Sequence, residues 1–218
     1  MVAGTVQAYI REALRQQVLD GELVPGQRLV EAEIAEKFGA TRASARAALI
    51  DLTADGLVER IPNRGARVRM VSLAEAIEIT ECRMVLEGLC AATAAERASR
   101  AERAELTDLA KAMRRAVSAG DVLGYSDLNQ ALHRRIREIS GQRTAARTIE
   151  LLRGQLVRHQ FRLALQRGRP AASLREHERI VAAIVKRNRA AAEAAMREHL
   201  ASVIGALAVA DVSAGTGT

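Results

Sequence analysis

The chain holds four histidines, and three of them fall in phase with apolar residues at helical spacing. His133 stands among Leu128, Leu132, Ile136 and Ile139; His177 aligns with Leu174, Ile180, Val181 and Ile184; His199 aligns with Met196, Leu200, Val203 and Ile204. That phasing turns each imidazole toward an apolar interior, where a polar group without a partner is costly. One shared divalent ion would satisfy all three, because imidazole is a common ligand of Zn, Ni and related ions. Asn129, one helical turn before His133, lies about 40° around the helix from it and offers an amide oxygen as a fourth ligand. Asp127 lies roughly 240° away and is poorly placed to join. For any single one of these residues, the competing reading is a core histidine satisfied by a hydrogen bond. His159, between Arg158 and Gln160, is not clearly on the apolar face of its helix and is set aside. Arg83 is the candidate for gripping the carboxylate of an effector, because its guanidinium fork matches that group bidentately; the competing reading is that it pairs within its own helix with Glu87.

A second group of residues suits a polyanion. Arg42 and Arg46 are an i,i+4 pair and project from one side of a helix whose opposite side carries Ala45, Ala48, Leu49 and Leu52. Thr41 and Ser44 sit at the start of that helix, where hydroxyls and free backbone amides bind phosphate, and arginine is well shaped for guanine edges. Arg64 and Gly65 fall at the tip of an expected hairpin, where a cation can lie against a minor groove and glycine permits close backbone approach. Taken singly, each arginine reads equally as solvated surface.

The elements that must position these groups follow from composition and periodicity. Aromatic residues are 2% of the 218, there is no Trp and there are three Pro, so the interior is built from Ala, Leu, Ile and Val, and Ala- and Arg-rich sequence favours helix. A helix over 5–20 ends at Gly21, Pro25-Gly26 marks a turn, a second helix runs from about 30 to 38, and Thr41 caps a third over 42–54. Alternating segments 57–61 and 66–70 joined by Pro62-Asn63-Arg64-Gly65 predict a hairpin. Three helices and a hairpin make a winged helix-turn-helix over residues 1–71. Residues 72–210 show only helical periodicity, with helices expected near 72–99, 101–118, 121–140, 143–167, 173–187 and 189–210. Capping boxes Ser72-x-x-Glu75 and Ser173-x-x-Glu176 mark two of the starts. The Gly-, Ser- and Thr-rich 211–218 is expected to be a disordered tail. The fold class is therefore mostly α, a winged helix-turn-helix followed by an all-helical bundle.

The run from Gly21 to Val68, with Pro25-Gly26, Leu29, Glu31, Ile34-Ala35, Phe38-Gly39, Thr41-Arg42, Arg46, Ala48-Leu49, Leu52, Gly56-Leu57-Val58 and Arg64-Gly65, resembles the winged-helix signature of the GntR family of regulators. Ser44 stands where that family often has Pro, and Ala32 where some members carry a DNA-contacting Arg. The later residues Glu81-x-Arg83-x-x-Leu86-Glu87, Asn129-x-x-Leu132-His133, Glu176-His177-x-x-Ile180 and His199 resemble the FCD ligand-binding domain of the FadR subfamily. The resemblance implies that three histidines and an Asp hold a divalent metal above which a small organic acid docks. Here Asn129 occupies the Asp position, and a neutral amide ligates more weakly than a carboxylate.

The net charge of +7 and pI near 10.3 accord with a polyanionic partner. The charge does not locate the DNA face, however, since Lys and Arg nearly balance Asp and Glu (10 against 9) in the first 70 residues. Cys82 and Cys90 are two helical turns apart, too far for a mutual disulfide. No apolar run reaches the ~20 residues of a membrane span, so a soluble cytoplasmic protein is expected. The sequence thus reads as a homodimeric repressor on a near-palindromic duplex DNA operator, released by a small carboxylate effector. Two rivals are a DNA-binding protein with a purely structural helical domain and a metal-dependent hydrolase. The hydrolase lacks a carboxylate in phase with the histidines to act as general base.

Overall fold

A computed structural model describes residues 3–61, 65–164, 166 and 168–215. The chain divides into two compact units: Met1–Ser72 together with Arg153–Arg158, and Leu73–Leu152 together with His159–Thr218.

The first unit runs α1 (Ala3–Leu19), β1 (Arg28–Leu29), α2 (Glu31–Lys37), α3 (Arg42–Ala54), β2 (Val58–Ile61) and β3 (Gly65–Val68). Its core joins Ile10, Leu14 and Val18 of α1 to Ile34 and Ala35 of α2, Ala45, Ala48, Leu49 and Leu52 of α3, and Leu29, Val58, Ala66 and Val68 of the strands. Polar pairs edge the α1–α3 contact, Arg11 to Asp55 at 2.9 Å and Gln7 to Asp51 at 2.8 Å. Tyr9 of α1 is 66% exposed and stands edge-on to Phe38. Its neighbour Ile10 is fully buried, and successive helical positions diverge by about 100°, so the two cannot share one contact line.

The expected hairpin is present, with Val58 opposite Val68 and Ile61 opposite Gly65. A third strand was not foreseen: β1 pairs antiparallel with β3, Leu29 opposite Ala66, giving the order β1-β3-β2. Two residues are too few to show an alternating pattern, and only the pairing defines them as a strand. Arg64, expected at the hairpin tip, lies outside the described residues.

The second unit is helical: α4 (Leu73–Arg97), α5 (Arg100–Ala119), α6 (Val122–Ser140), α7 (Arg143–Gly154) as far as Leu152, α8 (Val157–Ala164) from His159, α9 (Arg169–Val185) and α10 (Arg189–Gly215). Its core sets Ala91, Ala94 and Ala95 of α4 among Leu106 and Met113 of α5, Leu132 and Ile136 of α6, Ile180 and Ile184 of α9, and Met196 and Leu200 of α10. Small residues allow α4 and α10 to pack closely: a Cβ on Gly88 would come within 3.2 Å of the Arg197 side chain.

Three helix boundaries differ from the sequence reading, and one capping box was not foreseen. The helix expected over 143–167 is two, α7 ending at Gly154, the weakest helix former apart from Pro. The start expected at Ser173 lies one turn earlier, at Arg169, where Pro170 suits the first turn. Ser173 and Glu176 are therefore buried inside α9 and cap nothing. The capping box is instead at α5, where the Ser99 hydroxyl accepts from the Glu102 amide at 3.2 Å and the Glu102 carboxylate accepts from the Ser99 amide at 2.9 Å. Finally, α10 continues to Gly215, so Asp211–Gly215 are helical and not a disordered tail. No proline interrupts the ladder there, and an established helix extends residue by residue more easily than it starts.

Leu52 is fully buried in the core of the first unit. Leu52→Ala should cost about 2–5 kcal/mol, read as a lower urea midpoint, without changing the urea dependence of unfolding.

Candidate functional site

In the first unit, the side chain of Thr41 caps α3 by accepting from the Ser44 amide at 3.1 Å, and the two hydroxyl oxygens are 3.0 Å apart. The cap sets where the helix begins, which puts Arg42 in its first turn and Arg46 one turn further on. Arg42 is exposed. Arg46 is held side-on by Glu31, the first residue of α2, with its Nε 3.1 and 3.0 Å from the two carboxylate oxygens and its NH2 2.9 Å from Oε2. The hydrogen bond from Arg46 holds the Glu31 carboxyl below the usual range against a small burial penalty, helped by the fields of Arg46, Arg60 and Arg42. Gly65 has φ of +87°, and a Cβ there would stand 3.3 Å from the Leu29 carbonyl oxygen, so glycine answers both the backbone angle and the β1–β3 approach.

In the second unit, α6, α9 and α10 bring His133, His177 and His199 together, all buried, with one ring nitrogen of each within 4.8 Å of the others. The His133 and His177 Nε2 atoms are 3.1 Å apart, and the His177 and His199 ring centroids 4.3 Å apart. Each ring meets a partner through Nδ1. His133 Nδ1 is 2.5 Å from Glu87 Oε2, and His199 Nδ1 is 2.7 Å from Glu176 Oε2. His177 Nδ1 is 3.2 Å from the Tyr125 hydroxyl and 3.5 Å from Ser173 Oγ. A carboxylate can only accept, so it fixes the proton of its histidine on Nδ1 and leaves Nε2 as a lone pair. Hydroxyls accept or donate, so His177 can take either tautomer.

Each carboxylate is itself held by an arginine, the buried Arg83 or the partly buried Arg169. Arg83 donates to Glu87 Oε1 through Nε at 2.9 Å and NH2 at 2.6 Å, and Arg169 lies 3.3 Å from Glu176 Oε2 while donating to Ser202 at 2.7 Å. Two Arg–Glu–His chains thus converge on one point from opposite partners. Burial holds the titration of His177 well below its ordinary value, with the fields of His199 and His133 adding to it. Burial also lowers that of His199, against the pull of Glu176. Burial opposes ionisation of Glu176, but hydrogen bonds from His199 and Ser202 and the charge of Arg169 keep its carboxyl below the usual range. Burial pushes the Tyr125 phenol up to about 12, so it stays protonated near neutrality.

The Asn129 amide oxygen, on α6 one turn before His133, is buried and has no hydrogen-bond partner among the described residues. Three buried imidazoles with their Nδ1 atoms engaged, and an orphaned amide oxygen nearby in sequence, form a donor set that fits a borderline divalent cation.

The structure brings the three histidines together as expected, and it places Arg83 in the intrahelical pair with Glu87. Asp127 is exposed, consistent with its exclusion. Tyr125 and Arg169 were not singled out from sequence, Ser173 and Glu176 were read as a capping box and not as partners of histidines, and the pairing of Glu31 with Arg46 was not foreseen. Two signals were available: Glu176 and Ser173 share the buried face of α9 with His177, and Arg83-x-x-x-Glu87 is an i,i+4 ion-pair spacing.

Comparison with known proteins is consistent over most of the chain. Residues 78–202 match the FCD domain family, and residues 7–68 match the family described as bacterial regulatory proteins, gntR family. The chain is 33% identical over 192 residues to an uncharacterized HTH-type transcriptional regulator of Streptomyces ambofaciens, covering 87% of this chain and 80% of that protein. It is 27% identical over 198 residues to the HTH-type transcriptional repressor RspR of Escherichia coli K12, covering 91% and 87%. Its fold is similar to the structure of E. coli McbR/YncC, with a TM-score of 0.76 at 22% identity over 93% of this chain and 96% of that one. It is also similar to a GntR regulator from Rhodococcus sp. RHA1, with a TM-score of 0.68 at 23% identity over 92% and 96%. With the head and the helical unit each matched in order along one chain, this protein belongs to the gntR family of bacterial regulatory proteins, with an FCD domain as its helical unit.

Proposed function

We propose that this transcriptional regulator is a homodimeric repressor whose 1–71 head binds operator DNA and whose 72–210 domain senses a small carboxylate through a divalent ion held by His133, His177, His199 and Asn129. The observation that carries the sensing half is the convergence of three buried imidazoles whose outer nitrogens are already engaged. Imidazoles arranged this way suit Zn or Ni. The hydrolase alternative has no support from a family of DNA-binding regulators. A purely structural helical domain would leave the orphaned Asn129 oxygen without a reason.

Charge supplies the link to an anionic effector. Arg83 and Arg169 offset Glu87 and Glu176, and the three imidazoles and the amide are neutral, so a bound dication keeps its full charge inside an apolar bundle. An uncompensated buried charge is costly, and a carboxylate bound beside the ion would offset it. Asn129 makes that demand greater than an Asp would. To change operator occupancy, the acid must bind the DNA-free and DNA-bound forms with different affinity. A single winged helix reads one half-site, so two copies on a near-palindromic operator are the expected assembly, with Thr41, Arg42, Ser44, Arg46, Arg64 and Gly65 at the DNA.

Two measurements test this. Titration of metal-free protein with Zn or Ni against a competing chelator should show one site per chain, lost in His177→Ala and weakened about 10–100-fold in Glu87→Gln; Asn129→Asp should tighten it. Absence of a stoichiometric site in the native chain would refute the sensing half. Separately, Arg42→Ala and Arg46→Ala should each weaken binding to duplex DNA, by about 1–3 kcal/mol where a base edge is lost and with a salt slope shallower by about 1 where a phosphate is lost.

A further inference from the structure

Arg46 and Glu31 form an ion pair between α3 and α2 whose geometry is side-on. The Nε and NH2 edge of the guanidinium faces the carboxylate, with Nε 3.1 and 3.0 Å from its two oxygens and NH2 2.9 Å from Oε2. Arginine has five N–H donors in a rigid plane. A side-on pair uses the inner edge and leaves the NH1 and NH2 end, which is the edge that matches guanine O6 and N7. The Arg46 side chain is 60% exposed and that of Glu31 only 22%, so the carboxylate lies behind the arginine, toward the protein. Exposed pairs contribute little to folding stability, so the consequence of this one is orientation.

A carboxylate on a DNA-facing surface is otherwise unfavourable. It repels phosphate, and it sits in the fields of Arg42, Arg46 and Arg60, cancelling part of the attraction they supply. The arrangement makes sense if it exchanges non-specific affinity for a fixed arginine. We infer that Glu31 is a specificity-determining residue that acts through Arg46, holding its guanidinium plane so that the outer edge meets one base pair in register and cannot swing to the nearest phosphate. This rests on the reading of the Arg42 and Arg46 edge of α3 as the base-contacting face.

The test uses the full-length chain. Wild-type protein first selects duplexes from a randomised pool, and the enriched duplex and a shuffled duplex of the same composition then serve as probes at one fixed salt concentration. In Glu31→Gln, affinity for the shuffled duplex should stay the same or rise, while the ratio of enriched to shuffled affinity should fall about tenfold, the scale of one lost bidentate base contact. Selection repeated with the variant should lose preference at one position per half-site and keep the rest. Arg46→Lys keeps the charge without the fork, so it should lower the ratio alone, and adding Glu31→Gln to it should lower the ratio no further. Both residues are on the surface, and an unchanged thermal midpoint will show that folding is intact. Equal gains on both duplexes would mean that Glu31 is only a charge, and a gain on the enriched duplex alone would mean that it holds Arg46 away from the base; either overturns the inference. If the wild-type chain enriches nothing, the reading of α3 itself fails, an outcome distinct from enrichment with an unchanged ratio in Glu31→Gln.

Discussion

Three imidazoles sit among aliphatic side chains at the centre of the helical unit, and their need for hydrogen-bonding partners dictates much of what surrounds them. Each brings a polar demand into a place built from Ala, Leu and Ile. Glu87 and Glu176 answer it for His133 and His199, but a buried carboxylate carries its own desolvation cost, which Arg83 and Arg169 offset in turn. Buried ion pairs are poor sources of net stability. Their effect here is directional, since each chain fixes which ring nitrogen carries the proton and aims the other at a common point.

The third ring is treated differently. His177 is fully buried, yet among the described residues its Nδ1 meets only hydroxyls, those of Tyr125 and Ser173. In a network with two fixed tautomers, one adaptable member allows the same core to be satisfied in more than one state. With His133 Nε2 as a lone pair, His177 can donate to it from Nε2; with its proton moved to Nδ1, it presents a third lone pair instead. The hydroxyls follow by rotating.

The head solves the opposite problem. Its core is a small aliphatic cluster that needs no polar chemistry, so the face of α3 away from that cluster is available for cations. What the head must supply is a fixed starting point and a fixed orientation for two arginines. The Thr41 cap supplies the first, and the Glu31 pair acts on the second. A sequence nearly without aromatics packs this way through close approach of small residues, as at Gly88 against Arg197 and in the alanine run of α4.

Periodicity carried far in this chain because most of its elements are helices long enough to show a phase. The apolar faces of α6, α9 and α10 placed all three histidines inward before any coordinates, and the Pro25-Gly26 turn, the Thr41 cap and the alternating segments outlined the head. Short or context-dependent features were not legible. Strand β1 is two residues and exists only because β3 lies beside it. Ser173-x-x-Glu176 has the spacing of a capping box, and only packing turned both residues into the bundle as partners of histidines. Arg83 was compatible with gripping a ligand or with pairing to Glu87, and the carboxylate won because Glu87, held to His133 by its other oxygen, is buried within reach. Sequence by itself determined which residue types face inward, since that follows from local helical geometry. Which of them meet was decided by tertiary structure alone, because hydrogen bonds between helices depend on distances that no spacing along the chain encodes.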